Sequence, residues 1–132
     1  MLIPAISFQG NCDDAITYYK ETFGAEVKRI NYFSEVSEVA GMDMSTPPNF
    51  VTYSEVSLFG TTFMMSDGAE KPLEGFWLQL MFDTAEEVIS VFNKLADGGE
   101  VIEALAPQFW ASLNGNVSDR FGVHWNVLTS SE

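Results

Sequence analysis

Phe8-Gln9-Gly10-Asn11-Cys12-Asp13-Asp14-Ala15-Ile16-Thr17-Tyr18-Tyr19-Lys20-Glu21-Thr22-Phe23-Gly24-Ala25-Glu26-Val27 has an echo from Phe82 to Val101, aligned without a gap at an offset of 74. Phe8 falls on Phe82, Tyr18 on Phe92, Lys20 on Lys94, Gly24 on Gly98, Glu26 on Glu100 and Val27 on Val101. Each copy reads as a strand end, a helix and a new strand after glycine. In the first, Ala15, Tyr18, Tyr19 and Phe23 share one helical face, and Asn11, Asp13 and Asp14 suit a capped, acidic first turn. Gly24 suits a left-handed helix end. In the second, Val88, Phe92 and Leu95 mark the buried face, Thr84 with Glu87 fits a capping box, and Gly98-Gly99 stops the helix.

Working outward, Leu2 to Phe8 reads as a strand that, because Pro4 lacks an N–H, either lies at a sheet edge or begins there. Ala25 to Phe33 is a second strand. Ser34 to Asn49, with Gly41, Pro47 and Pro48, is a long excursion, to which Met42 and Met44 add flexible apolar groups. Phe50–Leu58 and Thr61–Ser66 flank Phe59-Gly60 as a hairpin, and 67–75 links two halves. Phe76–Phe82 is apolar on both faces and predicts a strand buried on both. The helix over 84–97 is followed by strands at Glu100–Leu105 and Phe109–Leu113, a predicted hairpin turn at Asn114-Gly115, and a last strand over Val123–Leu128. The expectation is an α+β fold of two tandem β-α-β-β-β modules, 1–67 and 76–128, within one domain spanning 1–132.

The 132 residues are 46% hydrophobic and 14% aromatic, enough for a core. Nineteen acidic against six basic residues give a net charge of −13, which repels nucleic-acid backbones and anionic headgroups. No apolar run reaches the roughly 20 residues of a membrane span, and Met1-Leu2-Ile3 lacks the form of a signal peptide, so a cytoplasmic protein without nucleic-acid or membrane partners is expected. The single cysteine, Cys12, permits no intrachain disulfide and no thiolate cluster. Near a helix N-terminus its thiol pKa can be lowered, but a small residue filling the cap region is the better reading.

The duplication, with Ile6-Ser7-Phe8-Gln9-Gly10-Asn11 leading into a helix that ends Tyr18-Tyr19-Lys20-Glu21-Thr22-Phe23-Gly24, resembles the vicinal oxygen chelate superfamily, which includes glyoxalase I, bleomycin-resistance proteins and extradiol dioxygenases. Met64-Met65-Ser66-Asp67, Phe109-Trp110 and Val117-Ser118-Asp119-Arg120-Phe121-Gly122-Val123-His124-Trp125 resemble its PhnB-like branch, often labelled demethylubiquinone methyltransferase-like. No glycine-rich nucleotide loop supports methyl transfer. The resemblance implies curled sheets forming a ligand cup, and a homodimer that covers sheet edges.

It also implies a divalent ion held by His, Glu or Gln from the strands. The corresponding positions fall on Pro4, Tyr53 and Asn126, which offer no donor, a poor one and a weak one, so neither a metal nor another cofactor is expected. His124, the only histidine, shares a strand face with Asn126; a structural role outweighs a functional one, and Glu55, on the face of Tyr53, is the one carboxylate able to join it. No Ser-His-Asp or Cys-His arrangement can be argued from spacing. Phe8, Tyr53, Trp77, Phe109, Trp110 and Trp125, with Gln79 and Asn126 as polar groups, are expected to line an apolar cup for a small molecule, although any one ring alone is better read as core. The leading expectation is a metal-independent small-molecule binding protein. The alternatives are a glyoxalase- or dioxygenase-like metalloenzyme using His124 and Glu55, and a dimeric scaffold with filled cups.

Overall fold

The computed structural model describes residues 1–36 and 45–130. Met42 and Met44, the flexible apolar groups of the predicted excursion, lie outside the described residues. The chain divides into two units, Met1–Pro72 and Leu73–Glu132. The first contains β1 (Ala5–Phe8), α1 (Cys12–Phe23), β2 (Glu26–Tyr32), a single turn α2 (Phe33–Val36), β3 (Val51–Leu58) and β4 (Thr61–Asp67). The second contains β5 (Leu78–Phe82), α3 (Ala85–Ala96), β6 (Glu100–Gln108), β7 (Ala111–Ser118) and β8 (His124–Thr129). Both sheets have one topology, β1-β4-β3-β2 and β5-β8-β7-β6, with the first strand parallel to the last and the other pairs antiparallel. The chain is thus α+β, with two mixed four-stranded sheets in the curled, unclosed form of the glyoxalase/bleomycin-resistance fold. β1 lies at a sheet edge, where its missing proline N–H costs nothing; the Pro4 carbonyl still accepts from the Met64 N–H at 2.9 Å.

One face of each sheet packs on its unit's helix. Alternation places Phe8, Val56, Leu58, Phe63 and Met65 in the first core, with Cys12, Ala15, Ile16 and Tyr19 of α1. The second core gathers Val88, Phe92 and Leu95 of α3 with Val117, Trp125 and Val127. Burial of these side chains contributes about 1.5–3 kcal/mol each for the larger ones, before chain entropy is charged against it.

The two helices start differently. Thr84 caps α3: its hydroxyl oxygen accepts from the Glu87 N–H at 3.2 Å, and its O–H donates to the Glu87 carboxylate at 3.0 Å. Asn11 does not cap α1 with its side chain, contrary to the sequence expectation. Asp67, arriving from β4, takes that place: its Oδ1 accepts from the N–H of Gly10 and of Cys12, both at 2.9 Å, and its Oδ2 from the N–H of Val51 at 2.9 Å. A buried carboxylate with three backbone donors stitches together the start of α1, the start of β3 and the end of β4. Cys12 is buried beneath it, and burial first, then the charges of Asp67 and Asp13, pushes its thiol well above the usual range. The N-terminal location therefore does not activate this thiol; the structural reading holds for it.

Two further expectations are corrected. Asn114-Gly115 is not a turn: β7 runs straight through it, and the turn between β6 and β7 is at Phe109-Trp110. Gly115 is needed because a Cβ there would meet the Phe92 ring at 2.8 Å and the Leu105 side chain at 2.9 Å, so the residue marks a close approach of α3 to the sheet. Phe76–Phe82 is not buried on both faces either. Its strand, β5, is an edge strand, and Met81 is 54% exposed.

Candidate functional site

The face of each sheet that its own helix does not cover follows from the register. Gly115 faces α3, so Asn114 and Asn116 face away from it, and so do their β8 partners Leu128 and Asn126. His124 shares that side with Asn126, and pairing of Leu78 with Trp125 and of Gln79 with Asn126 sets Trp77, Gln79 and Met81 alongside. The helix-free face of the second sheet is therefore a grid of Trp77 beside His124, Gln79 beside Asn126, and Met81 beside Leu128, flanked by Asn114 and Asn116.

A directed set of hydrogen bonds fixes these side chains. The Trp110 indole N–H, which can only donate, reaches Asn114 Oδ1 at 3.3 Å. That oxygen also accepts from Asn126 Nδ2 at 3.0 Å, while Asn114 Nδ2 donates to the Glu103 carboxylate at 3.3 Å. Asn126 Nδ2 donates a second bond, to the Gly115 carbonyl at 3.0 Å. The His124 imidazole bonds Asn116 Oδ1 through Nε2 at 3.1 Å and lies against the Trp77 ring, centroids 5.5 Å apart. Which of the two donates in this bond follows the imidazole tautomer. Burial lowers the His124 pKa from its ordinary value, favouring the neutral ring at neutral pH.

On the first sheet, the helix-free side carries Ala5 and Ser7 of β1, Met64 of β4, Tyr53 and Glu55 of β3, and Arg29 and Asn31 of β2. Tyr53 donates its O–H to Glu55 at 2.7 Å, and the Arg29 guanidinium sits over the Tyr53 ring at 5.1 Å while its Nε–H reaches Asn31 at 3.0 Å. The bond to Glu55 leads the causes that raise the Tyr53 pKa, with burial and the Glu55 charge adding and Arg29 opposing.

The residues expected at a pocket separate into three groups. Gln79, Asn126 and His124 occur together on the second sheet's helix-free face, with Trp77 just before β5; Tyr53 and Glu55 occur together on the first sheet. Phe8 and Trp125 lie in the helix-side cores, both 1% exposed, and the Trp125 N–H is held by Asp119 at 2.9 Å. Phe109 and Trp110, expected on a strand, form the hairpin turn; Phe109 is 97% exposed and packs edge-on to Trp110 at 4.7 Å. Asn114, Asn116, Glu103 and Arg29 escaped sequence reasoning. The asparagine-glycine pair drew Asn114 into a turn, whereas the unbroken alternation of 111–118 places it on a strand.

The donor set does not fit a divalent ion. Pro4 precedes β1 and shares its parity with half-buried Ile6 and the core residue Phe8; the residue set opposite Met64 on the helix-free side is Ala5, which also lacks a donor. The Tyr53 hydroxyl donates to Glu55, and both hydrogens of the Asn126 amide are engaged. Among the described residues no three His, Cys, Asp or Glu side chains come together to hold a metal.

Residues 1–128 match the family model described as 3-demethylubiquinone-9 3-methyltransferase. The chain is 35% identical to Protein YjdN of Escherichia coli over 136 aligned positions, covering 96% of this chain and 92% of that one. Among solved structures, protein PA1353 from Pseudomonas aeruginosa is 26% identical with a TM-score of 0.84, covering 100% of this chain and 98% of that one. A PhnB protein from Bacillus cereus, described as a putative 3-demethylubiquinone-9 3-methyltransferase, shares the fold at 22% identity and a TM-score of 0.80, covering 98% of each chain. The fold extends to the fosfomycin resistance protein FosX of Listeria monocytogenes, at 10% identity and a TM-score of 0.68 over 99% of this chain and 93% of that one. The chain belongs to the 3-demethylubiquinone-9 3-methyltransferase family, the PhnB-like branch of the vicinal oxygen chelate superfamily.

Proposed function

We propose that this protein binds a small organic molecule, without the superfamily's usual metal, on the helix-free face of its second sheet. The observation that carries the reading is that face's composition: an aromatic platform, Trp77 against His124, beside carboxamides held in one orientation, in place of a metal's ligand set. Ligand sites combine apolar and aromatic surface with a few positioned polar groups, and this face has both. The single domain expected from the sequence, with modules over 1–67 and 76–128, remains the frame of the proposal. The protein works as a homodimer in the cytoplasm: edge strands β1, β2, β5 and β6 and exposed apolar residues such as Phe76, Met81, Val101 and Ile102 favour a second copy, and a lone buried cysteine suits a reducing compartment.

Nuclear magnetic resonance of the ¹⁵N-labelled chain during titration with a library of small aromatic compounds tests the reading. Binders should shift the signals of Trp77, Gln79, His124 and Asn126 together. A library with no binder at those residues would leave a scaffold role. Light scattering should give twice the 14.6 kDa chain mass; a single chain mass at micromolar concentration would remove the dimer.

A further inference from the structure

Asn126 is only 8% exposed, and its amide is not free to turn. Both Nδ2 hydrogens are directed inward, one to the Gly115 carbonyl and one to Asn114 Oδ1, and that oxygen is itself fixed by the donor-only indole of Trp110. Asn114 Nδ2 is anchored by the acceptor-only Glu103 carboxylate. Reversing either amide would set oxygen against oxygen or N–H against N–H, so the polarity runs one way from Asn126 to Glu103. Asn126 Oδ1 is left with no protein partner, and it retains contact with solvent, since among the described residues the only sealed side-chain nitrogen or oxygen without a partner is Asn11 Oδ1. A solvent-touching amide oxygen left unpaired while both hydrogens of its Nδ2 are tied down is a preset acceptor.

We infer that Asn126 Oδ1 is the specificity determinant of this face, and that the ligand is a neutral or cationic ring compound that donates an N–H or O–H to it while its ring lies on Trp77. The grid sets the spacing. His124, whose ring lies against Trp77, stands two positions from Asn126 on β8, so their backbones are about 6.6 Å apart along the strand direction. Charge selects against anions: the relay ends on Glu103, the chain carries −13, and Asn126 presents an acceptor where a carboxylate or phosphonate ligand would need a donor. Asn114 is a positioning residue, acting only through the orientation of Asn126.

The inference rests on the small-molecule reading above and is tested separately from it. The probes are 6-aminoquinoline, 6-(dimethylamino)quinoline and quinoline-6-carboxylate, titrated into the full-length ¹⁵N-labelled protein with affinities read at the Trp77 indole and Asn126 amide signals. The amino compound should bind about three- to tenfold more tightly than its dimethylated form, the effect of one hydrogen bond, and the carboxylate most weakly. Asn126→Leu should abolish the preference, whereas Trp77→Ala, a change at a half-exposed ring, should weaken all three probes and leave the ratio intact. Equal binding of the two amines by the unmodified protein, or tightest binding of the carboxylate, overturns the acceptor assignment and leaves the small-molecule reading standing; this comparison needs no variant to fold. Failure of every probe to shift Trp77 and Asn126 overturns the acceptor assignment, and the small-molecule reading falls with it only if the wider library also finds no binder at those residues.

Discussion

The two units share one topology and one helix placement, yet equivalent positions do different work. Register aligns Met64 with Asn126, Glu55 with Asn116, Ser54 with Gly115 and Asp67 with Thr129. On the helix-free side, the first sheet therefore presents a charged cluster of Arg29, Tyr53 and Glu55 around a thioether, and the second presents carboxamides beside an aromatic pair. On the helix side the exchange is structural: Asp67 organises three chain segments, whereas Thr129 bonds only to Ser112 and Leu113 of the neighbouring strand. Alternating apolar residues preserve the scaffold in both copies, and the polar positions between them are free to diverge.

Breaking that contrast at Asp67 should have the largest effect. Asp67→Ala strands three backbone donors, two of them in fully buried bonds, and is expected to cost about 3–5 kcal/mol, against about 1 kcal/mol for Thr129→Ala, by chemical denaturation. Equal losses would mean that the two positions do equivalent work. Next comes Gly115→Ala, whose Cβ collides with Phe92 and Leu105 and should destabilise by about 1–3 kcal/mol, whereas Ser54, already carrying a side chain bonded to the Met65 carbonyl at 2.6 Å, marks the looser approach of the first helix. A neutral Gly115→Ala would place the helix farther from the sheet than described.

Helix starts provide a smaller contrast. Thr84→Ala should cost about 1 kcal/mol, while Asn11→Ala should be neutral or stabilising, because Asn11 Oδ1 is buried without a partner and Asp67 supplies the cap. The smallest effect is at His124, whose titration midpoint should lie below 6.5 and move back toward it in Trp77→Ala, as followed by its imidazole proton shifts. Because its folded pKa is depressed, its contribution to stability is complete above pH 6.5 and is lost as pH falls from there toward the folded midpoint. An unmoved midpoint in the variant would assign the desolvation to other neighbours.

These contrasts mark what the sequence disclosed. The helix repeat at an offset of 74 disclosed the buried faces of α1 and α3, Phe23 being only half-buried, because apolar periodicity reports directly on burial, whereas Phe8 and Trp125, expected at the cup, lie in the cores. The Asn114-Gly115 pair misled because the same dipeptide serves a tight turn and a close helix approach; only Phe92, packed over the glycine, distinguishes them. Asp67 was hidden as a cap because its donors lie 57 and 55 residues away, beyond any local pattern. The relay from Asn126 to Glu103 joins three strands and a hairpin turn, so its members have no common spacing to read.

The central claim is that these residues serve ligand binding without a metal, and thermal unfolding with zinc, nickel or manganese added to the chelator-free protein tests it most directly. A metal site filled at 100 times its dissociation constant would add about 2.7 kcal/mol, a rise on the order of 10 °C for a chain of this size. The account predicts no rise with any of the three ions. A rise of that size that disappears in His124→Ala would contradict it and restore a metalloenzyme built on His124.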